Sequence, residues 1–440
     1  MNLIPFVECP QLVRNYCDGF KDLLKPGTDY RCFVALVCAY VFGESNISMI
    51  VRYFLFSPSV SALCRFLGEE DVAPKLSRRH RRRILSVITR ITSDPGRYQF
   101  AIDDTLIPHS GKNMWGVYNW YDHTKNCTTK GHKLLVIGVV DKKRKLFIPI
   151  IWEILHRDLS KEIEPTSEVS ICHEKAWQVG LRLLDEVLKE GFPKLVFSAD
   201  SWFFGKEFCD ALEFREINYV IEVRSNLIVK KSGNSHPLVS LSAFFAEKLR
   251  RVIYFNNKSK FVCERTITIA EFESPLKIIA VANKRNIDDD VFGYYACNQL
   301  TWDASKIWGY SRGRWSIEVQ FRELKQLFAL GGAAVQSKQS VVTVVAISMI
   351  ALTVIRLQQL ANADSNKNQY ARPISAGNIV RDLEFISANR SISKLAMHPK
   401  TRTIAKFKLR YNQKNLNTKP AEKRRLAKTS ASQGKQRKVA

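Results

Sequence analysis

Three acidic positions in the sequence lie where an uncompensated carboxylate would be costly. Asp103 and Asp104 follow an apolar run at residues 98–102, and Asp200 follows a second apolar run. Glu318 falls in a predicted helix among basic residues. A buried carboxylate needs a partner for its charge, and one divalent cation can serve several carboxylates at once. Because carboxylate oxygens suit Mg²⁺ or Mn²⁺, the three segments predict a metal site.

Each of these acids, taken alone, has a simpler structural explanation. An acid after a strand commonly caps a helix or closes a turn. Arg314 and Glu318 are four residues apart, as in a plain surface ion pair on a helix. These explanations weaken because all three acids occur in a strongly basic chain, with 68 Lys and Arg against 42 Asp and Glu and a formal net charge of +26. Such a surplus predicts a polyanionic partner, first of all nucleic acid, although basic surface kept for solubility is the alternative.

The residues around Glu318 resemble the DDE transposases of bacterial insertion sequences, and most closely their IS-four-type branch with a Tyr-Arg-Glu-Lys signature. In that signature three residues separate Arg from Glu and six separate Glu from Lys, as they do at Arg314, Glu318 and Lys325. Tyr310 departs from it, since the strict spacing would put the tyrosine at Ser311. The resemblance spans about residues 98–360.

The two other acidic motifs of the family are matched as well. The first has the pattern Asp, any residue, Thr, which fits Asp103 and Thr105 and favours Asp103 over Asp104 as the metal ligand. The second is an Asp followed by an aromatic residue, which fits Asp200 and Phe203.

The resemblance implies an RNase H-like sheet on which Asp103, Asp200 and Glu318 converge to hold two divalent ions, Mg²⁺ or Mn²⁺. It implies a transposase that cuts the ends of a mobile element and joins them to target DNA by metal-dependent phosphoryl transfer. The implied partner is double-stranded DNA, and a homodimer would bridge the two element ends. The residues implied to bind DNA phosphates are Tyr310, Arg314 and Lys325. For Trp315 and Phe321 we expect simple core packing.

Two other functions remain open at this point. An RNase H-like nuclease would cut DNA without joining it. A non-catalytic DNA-binding protein derived from a transposase would bind without cutting, although intact acids at all three motifs argue against such decay.

The elements that must position these residues follow from hydrophobic periodicity and turn signals. Residues 1–95 predict a helical N-terminal region that contacts DNA. Residues 96–226 predict a mixed α/β sheet with flanking helices, the first part of the catalytic core. Residues 227–299 predict a β-rich insertion between the second Asp and the Glu, and residues 300–362 the second part of the core with the Glu helix. The predicted strands of the first part are 98–102, 132–140, 146–152, 195–200 and 219–223, and its predicted helices are 176–188 and 206–213.

Two basic segments are candidates for contact with phosphates. Five arginines and His80 occupy residues 78–83, which suits either phosphate contact or a solvated helix start. Residues 363–440 are expected to form a C-terminal region that ends in a disordered basic tail, because the last forty residues hold thirteen Lys and Arg against one acid, Glu422.

The remaining features predict a cytoplasmic, nucleoid-associated bacterial protein without a membrane segment. The ten cysteines include no C-x-x-C pair, and the first residues lack a signal-peptide pattern. The apolar stretch 341–355 is shorter than a bilayer requires, so we expect a buried core helix there.

Overall fold

The structure is a computed structural model. It describes residues 6–91, 95–109, 111, 113–122, 125–155, 175–230, 238–246, 251–255, 258–283, 291–365 and 374–397. The predicted basic tail lies outside these ranges.

The N-terminal part is helical, as predicted. Two of its helices begin at side-chain caps: Asn46 accepts a hydrogen bond from the Met49 amide at 3.2 Å, and Ser59 accepts one from the Ala62 amide at 3.3 Å. A 3₁₀ turn at Pro95–Arg97 leads into the sheet, at the Pro-Gly turn signal. The five helices are α1 (Gln11–Asp18), α2 (Thr28–Val41), α3 (Ile47–Tyr53), α4 (Val60–Gly68) and α5 (Val72–Ile91).

The centre of the fold is a mixed sheet with RNase H-like topology, which confirms the predicted fold class. Its first six strands are β1 (Tyr98–Pro108), β2 (Tyr118–Asp122), β3 (Cys127–Asp141), β4 (Leu146–Leu155), β5 (Val196–Ala199) and β6 (Tyr219–Val223). Strand β3 pairs antiparallel with both β1 and β4, whereas β1, β5 and β6 run parallel. The crossovers are made by α6 (Ala176–Lys189) and α7 (Lys206–Phe214). Strand β2 has no counterpart among the predicted strands.

The sequence predicts that the first strand ends at Asp103. In the structure β1 continues to Pro108. The reason is its antiparallel partner β3, which pairs with every residue of β1 from Tyr98 to Pro108. The parallel partner β5 pairs with β1 only as far as Ala101. Asp103 therefore lies inside a strand, just beyond the place where the parallel pairing stops.

The β-rich segment continues the central sheet. Strand β12 pairs antiparallel with β6, and β11, β10 and β9 follow in that order, so that ten of the described strands share one sheet. The elements are β7 (Ile228–Lys230), β8 (Leu238–Ser240), α8 (Leu241–Ala246), β9 (Arg251–Phe255), β10 (Lys258–Ile267), β11 (Leu276–Ala282) and β12 (Val291–Cys297). The β7–β8 hairpin is separate from that sheet.

The remaining helices are α9 (Ala304–Arg314), α10 (Ser316–Gln326), α11 (Lys338–Ser365) and α12 (Ala376–Met397). Phe321 is buried, as expected, but Trp315 at the α9–α10 junction is 49% exposed, so the expectation of core packing is wrong for that residue. Helix α12 falls in the C-terminal region, where the sequence analysis predicts no helix.

Helix α11 is the core helix predicted at residues 341–355. Among the described residues, one stretch, Lys338–Ala363, is long and apolar enough to span a membrane by length and composition alone. However, 83% of its most apolar window is buried inside the protein. It packs with α2, α4 and α10 against one face of the sheet, the face that presents Ala101, Leu134 and Val136. Helices α6 and α7 cover the opposite face.

Candidate functional site

Three carboxylates lie side by side on neighbouring parallel strands. Ala101 of β1 is aligned with Ser198 of β5, so that two residues further along the chain Asp103 comes next to Asp200, which directly follows the end of β5 at Ala199. Ala199 of β5 is aligned with Ile221 of β6, which in the same way puts Glu222 next to Asp200. Because side chains alternate between the two faces of a sheet, the three acids share the face covered by α9 and α10.

Helices α9 and α10 bring the fourth carboxylate and a buried arginine over this row. Glu318 lies in the first turn of α10, and Arg314 is the last residue of α9. Helix α9 approaches β1 closely at Gly313, where an added Cβ would lie 2.6 Å from Gln99 Oε1. Gln99 is fully buried and donates hydrogen bonds to Ser198 Oγ at 2.6 Å and to the Tyr310 carbonyl at 2.9 Å, which ties β1 to β5 and α9.

Arg314 is the electrostatic centre of the site. Its Nη1 lies 3.3 Å from Asp103 Oδ2, and its Nη2 lies 3.0 Å from Glu318 Oε1 and 3.7 Å from Glu222 Oε2. The Arg314 side chain is only 11% exposed. Arg314 and Glu318 are therefore not a plain surface pair, because the guanidinium bridges the helix and two strands.

Burial, and next to it the charges of neighbouring acids, raises the pKa of two carboxyl groups in the site. Burial raises the pKa of Asp103 well above its usual range; the Asp200 charge raises it further, and Arg314 opposes both effects. Burial also raises the pKa of Glu222. The charge of Arg314 lowers this pKa, whereas the charges of Asp200 and Glu318 raise it further. The acids are thus close enough for their charges to raise one another's pKa, and a cation bound among them would stabilise their charged forms.

Asp103 and Asp104 have different surroundings. Asp103 accepts from Arg314 and from the Asp104 amide, at 3.3 and 2.8 Å. The Asp104 carboxylate instead pairs with Lys133 of β3 at 3.0 Å. The choice of Asp103 as the metal ligand stays a prediction, and these contacts favour it.

A cavity of about 380 Å³ opens beside the carboxylates. Its lining combines acids with two exposed cations of α10, Arg322 and Lys325. Lys325 lines this cavity together with the acids, and its contact with a phosphate stays a prediction. The lining residues are Asp103, Asp104, Glu318, Phe321, Arg322, Lys325 and Gln326.

Tyr310 is not brought to this cavity. Its ring is buried and stacks on Trp302, with centroids 5.2 Å apart, and Lys142 Nζ lies 3.4 Å from its centroid. The predicted contact of Tyr310 with a phosphate is untested, and the position of its ring gives it no support.

The basic run at residues 78–83 is only partly exposed. Arg78 and Arg82 are exposed, whereas His80 and Arg81 are buried. Part of the run therefore attaches α5 to its neighbours, while Arg78 and Arg82 are the members most open to solvent for contact with phosphates. The internal contacts are Arg79 with Asp22 at 2.5 Å, Arg81 with Glu190 at 2.6 Å, and Arg83 with the ring of Tyr16, whose centroid lies 4.5 Å from its guanidinium carbon.

The carboxylate oxygens of the site suit a hard divalent cation, but Arg314 contacts those of Asp103 and Glu318 in this structure. In the part of the chain that the structure describes, no three Asp, Glu, His or Cys side chains are close enough to hold one metal ion. The carboxylate oxygens of Asp103, Asp200 and Glu318 are the ligand type that Mg²⁺ and Mn²⁺ prefer. A cation bound by Asp103 and Glu318 would have to replace the guanidinium that bridges them.

Glu222 is the functional candidate that the sequence analysis missed. It belongs to none of the three acidic motifs, and an acid within an apolar strand has no special signature. The predicted strand at residues 219–223 could have indicated it, because a strand parallel to β5 places one of its residues beside Asp200.

Two family models match this chain. The model described as "DDE superfamily endonuclease" matches residues 56–236, and the model described as "Transposase DDE domain" matches residues 173–355. The first range contains Asp103, Asp200 and Glu222, and the second contains Asp200, Glu222 and Glu318. The two matches, one over each part of the site, support a DDE transposase.

The other comparisons add less. No curated protein has a significant sequence match to the chain. Among solved structures, the piggyBac transposase in a synaptic complex with hairpin DNA is similar with 14% sequence identity and a TM-score of 0.42, over 93% of this chain and 84% of that chain.

Proposed function

We propose that the protein is a DNA transposase that cuts the ends of a mobile element and joins them to target DNA by metal-dependent phosphoryl transfer. The observation that carries this proposal is the convergence of Asp103, Asp200 and Glu318, from two parallel strands and a helix, within the range matched by the two DDE family models. We further propose the IS-four-type branch, on the spacing of Arg314, Glu318 and Lys325.

The protein side chains have separate tasks in this proposal. Asp103, Asp200 and Glu318 hold two Mg²⁺ or Mn²⁺ ions. When bound, such ions activate a water or a 3′-hydroxyl and stabilise the leaving oxygen in an in-line displacement at phosphorus. Lys325 and Arg322 project from α10 into the same cavity and bind the phosphates on either side of the reacting one.

The wider setting is also proposed. The partner is double-stranded DNA, of the element ends and of the target, and a homodimer holds two ends together. The protein acts in the cytoplasm of a bacterium, in association with the nucleoid.

The proposal is tested by a cleavage assay on DNA that carries the element ends, with Mg²⁺ or Mn²⁺ present or withheld. Asp200→Asn should reduce cutting at least about 100-fold, because it removes a metal ligand, and should leave DNA binding in a gel shift largely intact. Asp210→Asn is the matched control. Asp210 lies on the neighbouring helix α7, where it pairs with Lys206 at 2.6 Å outside the site, so its loss should leave cutting unchanged.

The alternatives give different results in the same assay. Cutting without joining of the 3′-ends would favour a nuclease of RNase H-like fold. DNA binding without any metal-dependent cutting would favour a non-catalytic protein derived from a transposase. Full cutting by Asp200→Asn would reject the assignment of the site.

A further inference from the structure

We propose that Glu222 is a positioning residue of the carboxylate site, which shares Arg314 with Asp103 and Glu318 and retains the guanidinium when a divalent cation binds those two acids. The inference rests on the proposed function, because it requires a divalent cation to enter the site.

The position of Glu222 is set by the sheet. Strand β6 is held on one side by β5 and on the other by β12, where Glu222 is aligned with Tyr295. Its neighbours Ile221 and Val223 are buried on the opposite face. Glu222 is thus presented on the same face as Asp200 by strand pairing, independently of any loop.

The guanidinium of Arg314 lies closer to two of its three carboxylate partners than to the third. The two shorter contacts, 3.0 Å to Glu318 and 3.3 Å to Asp103, join it to predicted metal ligands. The contact with Glu222 is longer, at 3.7 Å. A guanidinium has five N–H donors in a fixed fork, so a small displacement toward β6 would bring it fully onto Glu222.

Charge explains why such a displacement matters. A divalent cation competes with Arg314 for the same oxygens of Asp103 and Glu318 and repels its guanidinium. The Arg314 side chain is 11% exposed, and a buried cation without an anionic partner is strongly unfavourable. Glu222 supplies the remaining partner, so binding of the metal does not require Arg314 to be left unpaired.

The experiment is a calorimetric titration of the full chain with Mn²⁺ in the absence of DNA. Glu222→Gln should weaken Mn²⁺ binding about tenfold, because Arg314 would then lose its remaining carboxylate partner when the metal binds Asp103 and Glu318. Glu264→Gln is the matched control: Glu264 is a strand glutamate paired with Lys277 at 3.6 Å, three strands away from β6. It should leave the affinity unchanged. The unfolding temperature of each variant without metal checks that it is folded.

A double-mutant cycle separates positioning from direct ligation. If Glu222 acts through Arg314, Glu222→Gln should have less than about a twofold effect in an Arg314→Gln background. Should Arg314→Gln not fold, Arg314→Lys serves instead, because an ammonium cannot span three carboxylates. A tenfold loss that persists in the Arg314 variant background would overturn the proposal and make Glu222 a metal ligand.

Failure of the inference is distinguishable from failure of the proposed function. If the parent protein and Asp200→Asn bind Mn²⁺ equally, or neither binds it, the metal site itself is wrong. If Asp200→Asn loses binding while Glu222→Gln keeps it unchanged, only the role of Glu222 is refuted.

Discussion

Helix α10, which carries Glu318, is fixed to α11 through Arg356, and the loss of this arginine should release it. Arg356 Nη2 donates to Glu323 Oε2 on α10, Nη1 donates to Gln359 Oε1 at 2.7 Å, and Nε donates to the Phe147 carbonyl of β4 at 3.2 Å. Arg356 is 3% exposed. Arg356→Met keeps the volume of the side chain and removes all three donors.

The expected loss follows from these contacts. The hydrogen bond to the Glu323 carboxylate contributes about 2 kcal/mol and the two bonds to neutral acceptors about 1 kcal/mol each, which gives about 4 kcal/mol in all. The same figure is expected for breaking a buried ion pair on one side, since the Glu323 carboxylate, 18% exposed, stays behind without its cation.

The measurement is hydrogen exchange of the α10 amides, because a chain of this size need not unfold in one step. A loss of about 4 kcal/mol corresponds to nearly a thousandfold fall in protection. Arg182→Met is the matched control: Arg182 pairs with Glu153 at 2.7 Å but is 43% exposed, so its loss should cost less than about 1 kcal/mol.

The double variant Glu323→Leu/Arg356→Met tests the reasoning itself. It removes both charges of the buried pair but does not restore the bonds to Gln359 and to the Phe147 carbonyl, so protection of α10 should recover to within about 2 kcal/mol of the parent. If Arg356→Met costs less than about 1 kcal/mol, or if the double variant is as damaged as the single one, the ion pair is not what holds α10.

Three further predictions concern local stability, each measured by hydrogen exchange of the amides of the helix that carries the residue. Gly313→Ala should cost about 1–3 kcal/mol, because its Cβ would meet Gln99 Oε1 at 2.6 Å, and adding Gln99→Ala should recover part of the loss; no recovery would refute the clash. Burial lowers the pKa of His80 from 6.5 to about 4, so neutral His80 contributes fully to stability above pH 6.5. About 3 kcal/mol of that stability is lost as the pH falls to about 4, because the unfolded chain takes up the proton first. If His80→Gln had the same dependence of stability on pH as the parent, this prediction would be contradicted. Gln320 is fully buried, and neither amide atom has a hydrogen-bond partner in the described structure, so Gln320→Leu should gain about 1 kcal/mol, whereas a loss would mean that the amide is bonded.

The sequence predicts the order of the core elements well because their hydrophobic patterns are local. The strand at residues 219–223 coincides with β6, and the helix at 176–188 differs from α6 by one residue. The length of β1 could not be predicted in this way. Its last six residues include Asp103, Asp104 and Pro108 and are held as a strand by pairing with β3, a partner that no local pattern reveals.

In the candidate site, too, some residues can be recognised from local sequence patterns and others only from contacts between distant parts of the chain. Asp103, Asp200 and Glu318 are recognisable from their motifs, whereas Glu222 requires the alignment of β6 with β5. The surroundings of the arginine run at residues 78–83 could not be predicted for the same reason. Its composition suggests contact with phosphates, but the acids and rings that engage Arg79, Arg81 and Arg83 come from distant parts of the chain.

The pairing of β12 with β6 has a consequence for attempts to shorten the protein. It covers the hydrogen-bonding edge of the strand that carries Glu222. Deletion of residues 227–299 would therefore leave β6 as a bare edge strand, and such edges recruit strands from other molecules. We expect a chain that lacks residues 227–299 to self-associate through β6. In the full chain, the β-rich segment prevents this association by pairing with β6.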